Sequence, residues 1–339
     1  MYDLRSDTIT TPSEKMRKAM YEAEVGDDVY SEDPAINRLQ DRACELTGKD
    51  AALFVPSGSM GNLIPIYLLC GRGNEVIAHY QSHILHYEMT SLASLAGAMP
   101  VAVEGERGVY TPEEVEKHLR PDIYYMPKVR LLEIENTHNL AGGTCWKHDE
   151  IAAVGKIARR HGFSVHLDGA RAFNAEVATG VRVRDMAEHV DSITFCLSKG
   201  LGAPVGSLLC GDRDFIAEAR RVRKLLGGGM RQAGVLAAAG LYALDHNIDR
   251  LAEDHQNAKT LARALAATSW ADIDPEKIET NILYFDTVDI AAGKVVGALR
   301  EKGVLCGATA SQTVRMVTSL EVDNTAIDEV ARIISELRL

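Results

Sequence analysis

The chain reads as an α/β protein: a mainly parallel seven-stranded sheet with helices on both faces, followed by a smaller α+β domain. Three observations predict this. Seven short runs rich in β-formers and aliphatic residues recur between residues 51 and 209. Helical patterns separate most of them, and such alternation gives a mainly parallel sheet covered on both sides. After about residue 245 the alternation gives way to amphipathic helices and short strands. The expected division is therefore residues 1–245 and 246–339, joined through helix and not through a flexible linker.

The elements follow in order. Thr11-Pro12-Ser13-Glu14 and Thr111-Pro112-Glu113-Glu114 each offer Thr as N-cap, Pro at the first helical position and Glu at N3. Asp33-Pro34 opens another helix that runs to Thr47-Gly48. The seven expected strands are Ala51–Val55, Glu75–Ala78, Pro100–Val103, Arg130–Ile134, Phe163–Leu167, Ser192–Cys196 and Gly206–Leu209, with a helix at His148–Arg160 between two of them. The second part should hold a helix over Asp249–Ala267, a strand over Thr280–Phe285 and a helix over Ile290–Lys302. Short strands near Val304–Leu305 and Thr313–Val317 and a helix from about Asn324 complete it.

A length of 339 residues, 46% of them hydrophobic, supports well-buried cores. The net charge of −11 argues against nucleic acid or an anionic membrane surface as partner. No apolar stretch approaches membrane-spanning length. Six cysteines without paired spacing point to a reducing compartment. The opening Met1-Tyr2-Asp3-Leu4-Arg5 shows no basic leader followed by an apolar core, so a cytoplasmic location is expected.

Asp168 and Lys199 each sit just past a short apolar run. Two buried strands would deliver a carboxylate and an amine to one sheet edge, as pyridoxal 5'-phosphate (PLP) requires: a lysine for its covalent linkage and an acid beside its pyridine nitrogen. Ser57, Gly58 and Ser59 lie in a Gly- and Ser-rich turn, Pro56 to Asn62, that opens a helix, a cup suited to the phosphate. His79, His83 and His86 fit no common zinc spacing, so no protein-ligated metal is expected. One of these imidazoles would stack on the cofactor ring, with Tyr87 as a neighbour. Arg171, three residues past Asp168, has a guanidinium able to grip a carboxylate bidentately. Arg315 interrupts an apolar strand and needs an anionic partner, either a substrate carboxylate or an internal acid. Arg231 follows Gly227-Gly228-Gly229-Met230 and could reach a phosphate in its own or a neighbouring subunit.

Taken in order, Asp3 to Thr8, Val25 to Tyr30, Glu135 to Asn139, His166 to Arg171, Cys196 to Leu201 and Gly227 to Gln232 resemble the low-specificity L-threonine aldolases. These are PLP enzymes of the aspartate-aminotransferase fold type, fold type I, and the resemblance spans residue 3 to about residue 318. It implies cleavage of L-threonine, L-allo-threonine and similar L-β-hydroxy-α-amino acids to glycine and an aldehyde, in threonine breakdown and glycine supply. It also implies that Lys199 carries the cofactor, Asp168 pairs with the pyridine nitrogen and His83 stacks on the ring. Gly58, Ser59 and Arg231 would hold the phosphate, with Arg231 coming from an adjacent subunit. Ser6, Arg171 and Arg315 would hold the substrate carboxylate, with Tyr30 and Tyr87 on the substrate side. A homotetramer with active sites shared between subunits is the expected assembly.

Two positions depart from the family pattern. Many members read Asp-Ile-His-Phe where this chain has Asp122-Ile123-Tyr124-Tyr125, and Val-Thr-His where it has Val317-Thr318-Ser319. Tyr124 thus takes the place of an imidazole near the substrate hydroxyl. The base at that hydroxyl is then His83, Tyr124 or a water. A tyrosine can also relay a proton at Cα, so an amino-acid racemase or a β-eliminating lyase on the same scaffold is the alternative.

Overall fold

In the computed structural model, which describes residues 1–339, the seven apolar runs form a single sheet. The short strand β1 (Tyr2–Asp3) precedes them; they are β2 (Ala51–Val55), β3 (Glu75–His79), β4 (Met99–Val103), β5 (Val129–Glu135), β6 (Ser164–Asp168), β7 (Ser192–Cys196) and β8 (Ser207–Gly211). The spatial order is β2-β8-β7-β6-β5-β3-β4. All neighbours run parallel except β8, which is antiparallel to both β7 and β2. The reversal follows from the connection: residues 197–206 are too few for a parallel crossover, which needs a dozen or more. Central strands β6 and β7 are buried almost throughout, as expected of strands covered on both faces.

The first helices are α1 (Glu14–Tyr21), α2 (Pro34–Thr47) and α3 (Gly58–Pro65). The Thr111-Pro112 start behaves as expected, Thr111 capping the Glu114 amide. The Thr11-Pro12 start does not. Ser13 is the N-cap of α1 and accepts from the Met16 amide. Thr11 is drawn away by Glu321, whose Oε1 accepts from its amide at 2.6 Å and its hydroxyl at 2.9 Å.

The C-terminal part builds its own layer. Strands β9 (Ala271–Asp272), β10 (Ile282–Thr287), β12 (Gly307–Ala308) and β13 (Thr313–Val317) form an antiparallel sheet in the order β12-β13-β10-β9. Helices Leu251–Ala266, Ala292–Glu301 and Asn324–Glu336 close a second apolar core with it. The start of the chain belongs to this layer: β1 pairs in parallel with β11 (Val304–Leu305), and Leu4 is buried in the second core. The Leu4 carbonyl accepts from the Val317 amide at 2.8 Å. Residues 5–10 then cross to the large sheet, where the Thr10 hydroxyl donates to the Lys199 carbonyl at 2.9 Å. One strap thereby carries Ser6, Asp7 and Thr8 between the two layers.

Candidate active site

Parallel strands β5, β6 and β7 end together, with Glu135 opposite Asp168 and Asp168 opposite Thr194. Lys199 lies three residues past the end of β7, so both sequence-selected groups reach the same edge. Asp168 is 2% exposed. Its Oδ1 accepts from the Ala170 amide at 3.0 Å and its Oδ2 from the Asn62 amide group at 2.7 Å. No arginine or lysine forms an ion pair with it, although burying an isolated carboxylate is costly. Asn62, on α3, also donates to Glu88 Oε1 at 2.9 Å. Its Oδ1 lies 3.1 Å from His166 Nε2, and His166 Nδ1 lies 2.9 Å from the Ser192 hydroxyl. Burial drives His166 down to about 4, so it is a neutral imidazole, and the network assigns its proton to Nε2. Helix α3 can come this close because Gly61 lacks a side chain: a Cβ there would sit 2.5 Å from Thr194 Cγ2.

His83 opens the short helical turn α4 (His83–His86). Burial favours its neutral form, but the hydrogen bond from Nδ1 to Glu88 Oε1 at 2.9 Å and the nearby Asp168 charge outweigh that and raise its pKa. Nδ1 is therefore occupied. Glu88 is itself pushed up by burial, against the opposing pull of His83.

A cavity of about 240 Å³ opens over this edge, lined by Ser6, His83, Arg171, Lys199, Tyr284 and Arg315 among others. Arg171 does grip a carboxylate bidentately, but within its own chain that carboxylate is Asp7. Asp7 already holds its Nε and Nη2, both at 2.7 Å, and both side chains are buried. Burial alone would raise the Asp7 carboxyl, yet the Arg171 guanidinium holds it down at about 2. Only Nη1 of Arg171 is left outside that grip. Arg315 is the freer cation: Nη2 donates to Asn139 Oδ1 at 2.8 Å, Nε has no partner, and no carboxylate pairs with it. Burial and the neighbouring Arg171 charge lower its pKa, so an incoming anion is favoured. Tyr284, directly opposite Arg315 in the β10–β13 pair, places its ring 6.0 Å from the guanidinium carbon.

Residues 3–288 match the family model described as Beta-eliminating lyase. The chain is 44% identical over 322 residues to low-specificity L-threonine aldolase 1 of Arabidopsis thaliana, covering 93% of this chain and 90% of that protein. It is 42% identical over 332 residues to the low specificity L-threonine aldolase of Escherichia coli K12, covering 98% and 97%. This chain belongs to the low-specificity L-threonine aldolase family. The fold agrees: a putative L-allo-threonine aldolase from Listeria monocytogenes superposes with a TM-score of 0.84 at 20% identity, over 99% of this chain and 96% of that one.

The donor set fits the cofactor of this aldolase family. Asp168 is a buried carboxylate that lacks a cationic partner, as a pyridinium N–H requires, and Lys199 opens into the adjoining cavity. Ser57 caps α3 by accepting from the Met60 amide at 3.2 Å. The first amides of that helix, Gly58 and Ser59, have no partner within the chain, and the Ser59 side chain is exposed. A Cβ on Gly58 would meet Cys196 Sγ at 2.9 Å, so the cup, like the helix behind it, depends on a missing side chain.

Three expected residues do not enter the cavity of their own chain. Tyr124 is 99% exposed, on the loop before β5, and contacts the ring of Tyr125. Its side chain lines no part of the cavity in its own chain. Tyr30 is likewise exposed. Arg231 is exposed and paired with Asp27 Oδ2 at 3.0 Å. Nor do the three histidines converge: His79 packs edge-on against His138, and His86 Nε2 lies 2.8 Å from the Tyr80 carbonyl, leaving only His83 at the cavity. His83, Glu88 and Asp168 bring ligand-type atoms within 4.8 Å of one another; Asn62 and His83 bond Glu88 Oε1, Asn62 bonds Asp168 Oδ2, and Glu88 Oε2 has no partner. Sequence reasoning missed Asp7, Asn62, Glu88 and Tyr284 as parts of the site. Asp7 and Asn62 stand inside the very motifs that marked the site, which was the available signal.

Proposed function

We propose that the protein cleaves L-threonine, L-allo-threonine and related L-β-hydroxy-α-amino acids to glycine and an aldehyde, with PLP held at Lys199. One observation carries this reading: Lys199 opens into the same cavity as two arginines, next to a buried aspartate that has no cationic partner. Bound there, the cofactor supplies an electron-accepting ring for the pair released when a bond at Cα breaks. Asp168 accepts the ring nitrogen's proton bond and keeps that proton in place. The Gly58 and Ser59 amides, the hydroxyls of Ser57 and Ser59, and Arg231 hold the phosphate. Ser6, Arg315 and Arg171 Nη1 bind the substrate carboxylate, which fixes the bond that Cα presents for cleavage. His83, with Nδ1 held by Glu88, has Nε2 free to take the β-hydroxyl proton.

The assembly we propose is a homotetramer with shared sites, in the cytoplasm. The exposure of Tyr124, Tyr30 and Arg231 in one chain supports it, since a neighbouring subunit would bring these groups to a cavity that their own chain does not. The proposed division remains a larger cofactor-binding part and a smaller C-terminal part, as the two separate apolar cores suggest.

Incubation with L-threonine, L-allo-threonine, L-serine and L-alanine tests the reaction. Glycine with an aldehyde is expected from the first two. D-alanine would point instead to a racemase, and pyruvate from serine to a β-eliminating lyase. Lys199→Ala should lose both the visible cofactor absorption and cleavage; full turnover by that variant would overturn the assignment.

A further inference from the structure

Glu135, the last residue of β5, has no part in the reaction just described. It is 4% exposed and stands in register with Asp168. Its Oε2 accepts the backbone N–H of His83 at 2.8 Å, and its Oε1 accepts the backbone N–H of Asn139, also at 2.8 Å. Asn139 Oδ1 in turn accepts from Arg315 Nη2 at 2.8 Å. The other bond from Arg315 is a long one, 3.5 Å from Nη1 to the Arg5 carbonyl. Asn139 is thus the one side chain that hydrogen-bonds the Arg315 guanidinium, beside the Tyr284 ring.

The two segments joined in this way both line the cavity. His83 begins a single helical turn after β3, and Asn139 lies in the loop that follows β5. Neither is fixed by strand pairing. A carboxyl group between two amide donors holds both, because each of its oxygens accepts one N–H. No neutral side chain of similar size offers two acceptors at those positions.

We propose that Glu135 is a positioning residue whose single carboxylate sets the backbone of His83 and, through Asn139, the aim of Arg315. The inference deepens the aldolase reading and rests on Arg315 as the carboxylate-binding cation. It predicts that disturbing Glu135 harms recognition of the substrate carboxylate more than recognition of the amine.

The test compares glycine with glycinamide, which keeps the amine and lacks the negative charge. Both are titrated into the holoenzyme and followed through the cofactor absorption band; the dissociation constant of PLP from the apoprotein is measured separately. Glu135→Met removes both acceptors and keeps the volume. It should weaken glycine about tenfold more than glycinamide, the size expected for losing one charge-assisted bond, and should also loosen PLP. Asn139→Ala cuts only the arm to Arg315. Glycine should again weaken about tenfold, with glycinamide and PLP changed by less than about twofold. If Glu135→Met does not fold, Asn139→Ala decides. A glycine-to-glycinamide ratio equal to that of the unmodified enzyme, in whichever variant folds, overturns the proposal. Threonine cleavage by the unmodified enzyme is measured first; its absence would count against the aldolase reading, whereas normal cleavage with unchanged ratios counts against Glu135 alone.

Discussion

Replacing Asp7 with Asn tests how the strap between the two layers is held. Asp7 and Arg171 are both buried and share two bonds of 2.7 Å, so Asp7→Asn leaves a buried guanidinium without its counter-ion. Breaking such a pair from one side costs about 3 kcal/mol or more. The acid's own titration gives a second, independent figure. A carboxyl lowered from 3.8 to about 2 contributes about 2.4 kcal/mol to folding once the pH is above its unfolded value. The sign is that of a depressed acid: the contribution is complete above pH 3.8 and fades as the pH falls through about 2. Urea unfolding of the holoenzyme, at fixed protein and cofactor concentration, is the assay. With a urea slope of about 3 kcal/mol per molar, Asp7→Asn should lower the midpoint by roughly 1 M at pH 7. The gap between the two proteins should narrow as the pH falls from 4 towards 2. A midpoint shift under about 0.3 M at pH 7, or a gap that widens on acidification, would mean that the Asp7–Arg171 pair does not hold the strap.

Further expectations concern the site itself. Glu88→Gln removes the charge that raises the His83 pKa, so the acid limb of kcat/KM should move to lower pH; a pH–rate profile identical to that of the parent would contradict His83 as the base. Gly61→Ala forces a Cβ to 2.5 Å from Thr194 Cγ2 and should cost about 1–3 kcal/mol while weakening PLP binding, read by thermal melting and cofactor titration. Mixing inactive Lys199→Ala subunits with Arg231→Ala subunits after partial denaturation should restore activity if a site draws on two chains. No recovery would indicate that Arg231 serves only its own subunit.

The strands were legible because a buried parallel sheet needs unbroken runs of apolar residues. Ala51–Val55 and Ser192–Cys196 fall where expected, and the others shift by a residue or two. Asp168 and Lys199 were legible for the same reason, since each follows such a run. The pairings were not. Asp7 and Arg171 are 164 positions apart, and nothing in either segment's pattern says that the guanidinium faces an acid of the same chain and not a substrate. Asn62 reads as part of a phosphate turn, yet its amide stitches Asp168 to Glu88. Tyr124 was legible as a residue type but not in its placement: it stands exposed outside its own chain's cavity, in a direction that no local pattern records.

The strap that joins the two layers also sets a timetable. Residues 2–8 are made about 300 residues before their partners Asn281, Val304, Leu305 and Val317. At roughly 5–20 residues per second the opening segment waits on the order of 15–60 s before it can dock. Through that interval the large sheet can form while Ser6 and Asp7 remain outside it. The newborn chain therefore passes through a stage with a nearly finished sheet and a cavity still open on the substrate side.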